Sequence, residues 1–154
     1  MRLLIVEDDE EKASRVSDFM GLTYKPDSVV IARSLQTGLR AALGQTFDLL
    51  LLDMTMTNFD RTLKDDGGRP HHFAGREILR QLQREGIHLP IIVVTQFGRF
   101  GEESEAMTLT DLESELKSRY SDYLGTVHYR SNADNWKLQL ETLIGDRFPK
   151  ENQS

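Results

Sequence analysis

The sequence predicts an α/β fold, a five-stranded parallel sheet with helices on both faces, in a single domain. Short apolar runs, bounded by polar or turn residues, alternate with segments whose apolar residues recur at helical spacing. Three of the runs are continuously apolar, which is typical of parallel strands covered on both faces. Strand and helix alternate five times along 154 residues, and this order indicates a doubly wound sheet.

Five segments are predicted as strands, and they are residues 3–6, 29–32, 49–52, 91–94 and 125–129. The last of them has the weakest signal, with β-branched residues only at Thr126 and Val127. The parallel arrangement follows from the helical segment that separates each strand from the next.

Five helices are predicted between and after these strands. Ser34 is the expected N-cap of the second helix, and Thr110 with Glu113 forms a capping box that opens the fourth. Gly86 and Pro90 end the third helix. The apolar faces consist of Ala13, Val16, Phe19 and Met20; Leu35, Leu39, Ala42 and Leu43; Ile78, Leu79 and Leu82; Leu112 and Leu116; and Trp136, Leu140, Leu143 and Ile144.

The composition limits the classes of function. We expect one domain over residues 1–148 and a polar C-terminal tail over 149–154. With 19 Lys and Arg against 25 Asp and Glu, the net charge of −6 disfavours nucleic-acid binding through overall charge. The chain has no Cys, which excludes disulfides, thiolate zinc sites and a Cys nucleophile. The apolar runs are far shorter than the roughly 18 residues that span a bilayer, and no signal peptide is evident, so a cytoplasmic location is expected.

Two connections, residues 58–74 and 96–109, are too long for plain turns. Connections longer than about 12 residues in compact domains are usually functional or disordered.

Polar side chains follow three of the predicted strands. Glu7 and Asp8 follow the first strand, Asp53 follows the third, and Thr95 follows the fourth. In an open parallel sheet, ligands bind beyond the carboxyl ends of the strands, where the strand order reverses. Carboxylates gathered there stay ionised only beside a cation, and all-oxygen ligation suits Mg²⁺. A carboxylate can also act as a nucleophile and form an aspartyl-phosphate.

At these residues the chain resembles the receiver domains of two-component response regulators, which have the CheY-like, flavodoxin-like fold. Residues 3–9, 48–56 and 91–95 are similar to the family's first, third and fourth strands, and Gly75 to its glycine at the third helix. The resemblance implies that Asp53 accepts a phosphoryl group. It also implies that Asp8, Asp53 and the main-chain carbonyl of Thr55 ligate Mg²⁺.

The resemblance implies further roles at the same edge of the sheet. Glu7 would contact the metal through a water, and Thr95 would close over a phosphoryl oxygen. The chain would be a phosphoacceptor and not an enzyme, with at most autophosphorylation and autodephosphorylation activity. Its expected partners are a histidine kinase or phosphotransfer protein, an unidentified downstream protein and a second copy of the chain, with no direct contact to nucleic acid or membrane.

The chain departs from the family at the end of the fifth strand, where receivers usually carry a Lys that pairs with the phosphoacceptor. Spacing from Trp136 places Tyr129 at this position, and a shift of one residue would place Arg130 there. Other candidate cations lie in the 58–74 connection, and they are Arg61, Lys64 and Arg69.

These departures leave a second hypothesis open, a pseudo-receiver that acts as an interaction module without phosphorylation. The missing Lys and the presence of Thr126 at the family's switch-aromatic position favour this alternative, whereas the acids favour the phosphoacceptor. A third hypothesis, an aspartyl-nucleophile phosphatase of the haloacid dehalogenase type, requires a second Asp two residues after Asp53. Thr55 occupies that place.

Overall fold

A computed structural model describes residues 1–56, 74–96, 99–100 and 107–150 of the chain. The strands are β1 (Arg2–Val6), β2 (Ser28–Ala32), β3 (Leu49–Leu52), β4 (Ile91–Thr95), β5 (Arg99–Phe100), β6 (Met107–Thr108) and β7 (Tyr123–His128). The helices are α1 (Glu10–Tyr24), α2 (Leu35–Gly44), α3 (Ala74–Arg84), α4 (Leu109–Arg119) and α5 (Asn135–Ile144). Within these ranges, no helix is both long enough and apolar enough to cross a membrane.

The main sheet has the strand order β2-β1-β3-β4-β7, and every neighbouring pair in it is parallel. The chain passes from β1 outward to β2 and then returns to form β3 on the other side of β1. The strand order therefore reverses between β1 and β3, and a crevice opens at their carboxyl ends. The predicted five-stranded parallel sheet with helices on both faces is confirmed.

The two faces of the sheet have separate cores, because successive residues of a strand point to opposite sides. Leu4 and Val6 pack with residues of α2, α3 and α4, whereas Leu3 and Ile5 pack with residues of α1 and α5. All four residues of β3 are buried. This burial on both sides is the reason why the predicted strands appear as continuous apolar runs.

The helix starts follow local hydrogen bonding. Ser34 caps α2 as predicted, since its hydroxyl accepts the backbone N–H three residues later at 3.2 Å. The capping box of α4 was predicted two residues too late, at Thr110 and Glu113. In the structure the Thr108 hydroxyl accepts the Asp111 N–H at 3.1 Å, and the Asp111 carboxylate accepts the Thr108 N–H at 3.4 Å. Both pairs have the required spacing, but β6 ends at Thr108 and the helix begins directly after it.

The ends of the chain's last strand and second long connection also differ from the sequence prediction. The last strand was predicted over 125–129, and β7 spans Tyr123–His128. The second connection contains the short antiparallel ribbon of β5 and β6, which was predicted as a loop. Residues 57–73, 97–98, 101–106 and 151–154, which include most of the 58–74 connection and most of the C-terminal tail, lie outside the described residues.

Gly75 lets α3 approach the end of β3 closely. A Cβ atom at Gly75 would lie 2.7 Å from the carbonyl oxygen of Asp53 and 2.6 Å from Cε of Met54. The Gly75 N–H also donates to the Met54 carbonyl at 3.1 Å. A glycine is therefore required at this position, because α3 lies too close to the backbone of Asp53, the predicted phosphoacceptor, for a larger residue.

We expect Gly75→Ala to lower the free energy of unfolding by about 1–3 kcal/mol, because the added methyl group forces the helix away from the strand. Urea denaturation followed by circular dichroism measures this loss. Gly21→Ala in α1 is the matched control, since a Cβ atom at Gly21 meets nothing within 4 Å. This control should raise stability by about 0.5–1 kcal/mol. Equal midpoints for Gly75→Ala and the unsubstituted protein would contradict the close approach.

Candidate functional site

Sheet hydrogen bonding continues one residue beyond β1 and β3 and fixes two acids. The N–H of Glu7 donates to the carbonyl of Ala32 at 2.9 Å, and the N–H of Asp53 donates to the carbonyl of Val6 at 3.0 Å. Glu7 is 3% exposed and Asp53 is 4% exposed. Both acids are therefore held on rigid backbone in the crevice between adjacent strands.

Glu7, Asp8 and Asp53 form an acidic cluster at this crevice, with carboxylate oxygens all within 4.8 Å of one another. Asp8 is half-buried, whereas the other two are buried. The structure thus brings together the acids that the sequence places at the ends of the first and third strands. A donor set made only of carboxylate oxygens fits Mg²⁺, which takes one or two carboxylates and keeps several waters.

Thr95 and Thr55 lie at the same edge of the sheet. The register pairs Leu52 with Val93, so Asp53 extends one residue and Thr95 two residues beyond this pair. Thr95 is fully buried at the end of β4. Thr55 follows Asp53 by two residues and is half-buried.

Glu7 is a buried carboxyl group with a mixed electrostatic environment. One of its oxygens accepts the N–H of Asp8 at 3.0 Å, and the other forms an ion pair with Lys12. Burial, followed by the charge of Asp53, raises the pKa of Glu7 well above its ordinary value, and Lys12 opposes this rise. A cation bound among these acids would favour their ionised forms.

Lys12 is a site residue that the sequence analysis missed. Its ammonium lies 3.6 Å from Oδ2 of Asp53 and donates to the carbonyl of Val94 at 2.8 Å, and the side chain is 2% exposed. Burial acts to lower the pKa of Lys12, but the charges of Asp53 and Glu7 outweigh it and raise the pKa above its ordinary value. The ammonium therefore stays charged inside the protein.

A signal for Lys12 was present in the helical spacing. Lys12, Val16 and Met20 recur every four residues and share the buried face of α1. The carboxylate of Asp9 caps this helix by accepting the backbone N–H of Lys12 at 3.0 Å. A lysine on a buried helical face, in the first turn after a strand that ends in acids, is directed towards those acids.

Tyr129 and Arg130 were the candidates for the family's lysine position. Tyr129 follows β7 directly and is 2% exposed, with its ring centroid 5.3 Å from that of Trp136. Its hydroxyl accepts a hydrogen bond from Arg15 at 3.0 Å, and the Lys12 ammonium lies 5.8 Å from its ring centroid. Arg130 is exposed. The other candidate cations, Arg61, Lys64 and Arg69, lie outside the described residues.

The sequence similarity to known proteins extends over nearly the whole chain. No family model matches the chain. The uncharacterised protein y4jR of Sinorhizobium fredii is 31% identical over 144 residues, which cover 92% of this chain and 95% of that protein. The Detocs response regulatory protein DtcB of Enterobacter cloacae is 28% identical over 143 residues, which cover 91% of this chain and 95% of that protein.

The fold matches solved receiver domains of response regulators. The response regulator TrrA of Thermotoga maritima, solved in complex with Mg²⁺ and BeF, superposes with a TM-score of 0.56 and 16% identity. This match covers 92% of the chain and 97% of TrrA. This match shows the fold, and the sequence similarity to y4jR and DtcB over nearly the whole chain shows that the chain belongs to the family of response-regulator receiver (CheY-like) proteins.

Proposed function

We propose that this receiver accepts a phosphoryl group on Asp53 and signals through protein contacts. The supporting observation is the position of Asp53, a buried acid at the end of a central strand that belongs to the acidic cluster and lies beside an ammonium group. Its Oδ1 accepts the N–H of Met54 at 2.8 Å, while Oδ2 faces Lys12. In the transfer, a carboxylate oxygen of Asp53 forms a bond to phosphorus as the bond from phosphorus to the donor breaks. The donor atom leaves with the electron pair of that bond.

Asp8, Asp53 and the main-chain carbonyl of Thr55 would hold Mg²⁺, and Glu7 would contact it through a water. When bound, the ion offsets the negative charge of the incoming phosphoryl group. Lys12 offsets only one of the three clustered carboxylates, so the cluster retains the negative charge that attracts a divalent cation. TrrA, which has the same fold, was solved in complex with Mg²⁺ and BeF, and this supports Mg²⁺ as the ion proposed for this chain.

The proposed donor is a phosphohistidine of a histidine kinase or phosphotransfer protein, and the output is a changed affinity for a downstream protein. The switch would be a shift between two arrangements of the loops around the site. No external substrate is turned over, and the activity is limited to the chain's own phosphorylation and dephosphorylation. A cytoplasmic location, a homodimer and the absence of direct nucleic-acid contact belong to the same proposal.

Incubation with Mg²⁺ and acetyl phosphate should add the mass of one phosphoryl group to the protein, measured by mass spectrometry of the intact chain. Asp53→Asn should abolish the adduct because the amide is a poor nucleophile. Asp48→Asn is the matched control, since Asp48 precedes the same strand whose other end carries Asp53. It should form the adduct as the unsubstituted protein does.

The same measurement separates the alternatives. Absence of an adduct on the unsubstituted protein, with no uptake of beryllofluoride, would favour the phosphorylation-independent pseudo-receiver. An adduct that persists in Asp53→Asn would place the acceptor elsewhere. Steady release of phosphate from an aryl phosphate would favour the phosphatase hypothesis.

We expect Mg²⁺ binding to depend on Asp8. Asp8→Asn should weaken the affinity about tenfold or more, since an ionised ligand of the cluster becomes neutral. Isothermal titration calorimetry with Mg²⁺ measures the change. Glu10→Gln removes the same charge from an exposed residue in the first turn of α1 and should change the affinity less than about twofold. Equal weakening in both variants would indicate a general charge effect and not a site at Asp8.

A further inference from the structure

We propose that Lys12 supplies the cation that stabilises the phosphoryl group on Asp53, so that α1 provides the charge that receivers usually carry at the end of the fifth strand. This inference rests on the proposed function. It assigns a role in phosphoryl transfer to a residue of the first helical turn, which the family's motif does not include.

The first argument is the placement of the ammonium. Lys12 Nζ forms an ion pair with Glu7, lies 3.6 Å from Oδ2 of Asp53 and donates to the Val94 carbonyl at 2.8 Å. Burying an ammonium without partners is costly, so these acceptors hold it beside the acid that would react. A phosphoryl group added to Asp53 brings new negative charge to a position next to a fixed cation.

The second argument is that the ammonium of Lys12 lies beside Tyr129, the residue that directly follows β7. The Lys12 ammonium lies 5.8 Å from the ring centroid of Tyr129, within the range of a cation–π contact. The spacing from Trp136 assigns the position of the usual lysine to Tyr129, which supplies no charge. Its ring lies beside a lysine of α1.

The third argument concerns the other basic residues near this end of the sheet. Arg15 is engaged by the hydroxyl of Tyr129 and the carbonyl of Ser131, and Arg130 is exposed. Among the described residues, the ion pairs give Asp53 one basic partner, which is Lys12.

If Lys12 only supports the structure, its removal should change two ligand affinities in the same direction. If Lys12 stabilises the phosphoryl group, the two affinities should change in opposite directions. Loss of a structural support would lower the affinity for Mg²⁺ and the affinity for a phosphoryl analogue together. An ammonium that acts by its charge repels Mg²⁺ and attracts the phosphoryl group. Its removal should therefore raise the affinity for Mg²⁺ and lower the affinity for the phosphoryl analogue. The two affinities of one variant therefore distinguish the roles.

The experiment titrates the full chain with Mg²⁺ alone and then with beryllofluoride at saturating Mg²⁺. Lys12→Met should weaken the binding of beryllofluoride about ten- to a hundredfold, because one charge-assisted hydrogen bond contributes that much to an affinity. The same variant should bind Mg²⁺ about three- to tenfold more tightly. Lys117→Met removes the same charge from an exposed residue of α4 and should keep both affinities within about twofold of the unsubstituted protein.

A second pair of variants removes the risk that Lys12→Met fails to fold because Glu7 is left without its partner. Glu7→Gln/Lys12→Met neutralises the buried pair together, and it is compared with Glu7→Gln alone. Loss of Lys12 in the Glu7→Gln protein should again weaken the binding of beryllofluoride about tenfold or more and strengthen the binding of Mg²⁺.

The outcomes separate this inference from the proposed function. The role of Lys12 is overturned, and the proposed function stands, if the unsubstituted protein binds beryllofluoride but the Lys12 variants do not show opposite changes. That is the case if Lys12→Met binds as the unsubstituted protein does and Glu7→Gln/Lys12→Met binds as Glu7→Gln does. It is also the case if both variants lose affinity for Mg²⁺ and for beryllofluoride in parallel. A loss of beryllofluoride affinity in Arg130→Met but not in Lys12→Met would overturn it in favour of Arg130. If the unsubstituted protein takes up no beryllofluoride, the function and the role of Lys12 fall together.

Discussion

The site depends on the balance of buried charge around the ammonium of Lys12. Three carboxylates with oxygens within 4.8 Å of one another repel, and two of them are removed from water. The ammonium contacts Glu7 and lies 3.6 Å from Asp53, so the most buried acids share a cation supplied by the protein itself. Asp8 is half-buried and leaves the cluster open to solvent on one side. The cluster therefore has a cation of the protein's own beside its two buried acids and a third acid, Asp8, that solvent reaches.

Backbone geometry sets this charge balance before any ligand is present. The sheet ladder continues through Glu7 and Asp53, and the cap formed by Asp9 fixes the first turn of α1 that carries Lys12. The close contact of Gly75 with the carbonyl of Asp53 brings α3 against the same strand end. Asp53, the proposed phosphoacceptor, is thus surrounded by secondary structure, as preorganised charge stabilisation requires. Changes on phosphorylation would then fall on the loops and not on the acid itself.

The fold was predictable because burial on both faces of the sheet leaves continuous apolar runs, and the acids were predictable because they follow those runs directly. The start of α4 was not, since Thr108 with Asp111 and Thr110 with Glu113 have the same spacing and only the end of β6 selects between them. Lys12 was missed for a similar reason. Its partner Asp53 is distant in sequence, and the resemblance to the family predicts a cation at the end of the last strand instead. Local spacing defines helical faces, but the contacts between faces and strand ends depend on the tertiary fold.

A lysine on α1 alters how the site is coupled to the rest of the protein. A cation at the end of β7 would transmit a change in charge to the edge strand. Lys12 instead contacts Glu7, which directly follows β1, and the Val94 carbonyl of β4. Val94 directly precedes Thr95, the residue that would close over the phosphoryl group, so one ammonium joins the acid and the end of the responding strand. Tyr129, bonded through its hydroxyl to Arg15 and packed against Trp136, ties the end of β7 to α1 and α5. The proposed phosphoryl transfer requires a positive charge beside Asp53, and in this fold the ammonium of Lys12 on α1 lies 3.6 Å from that carboxylate.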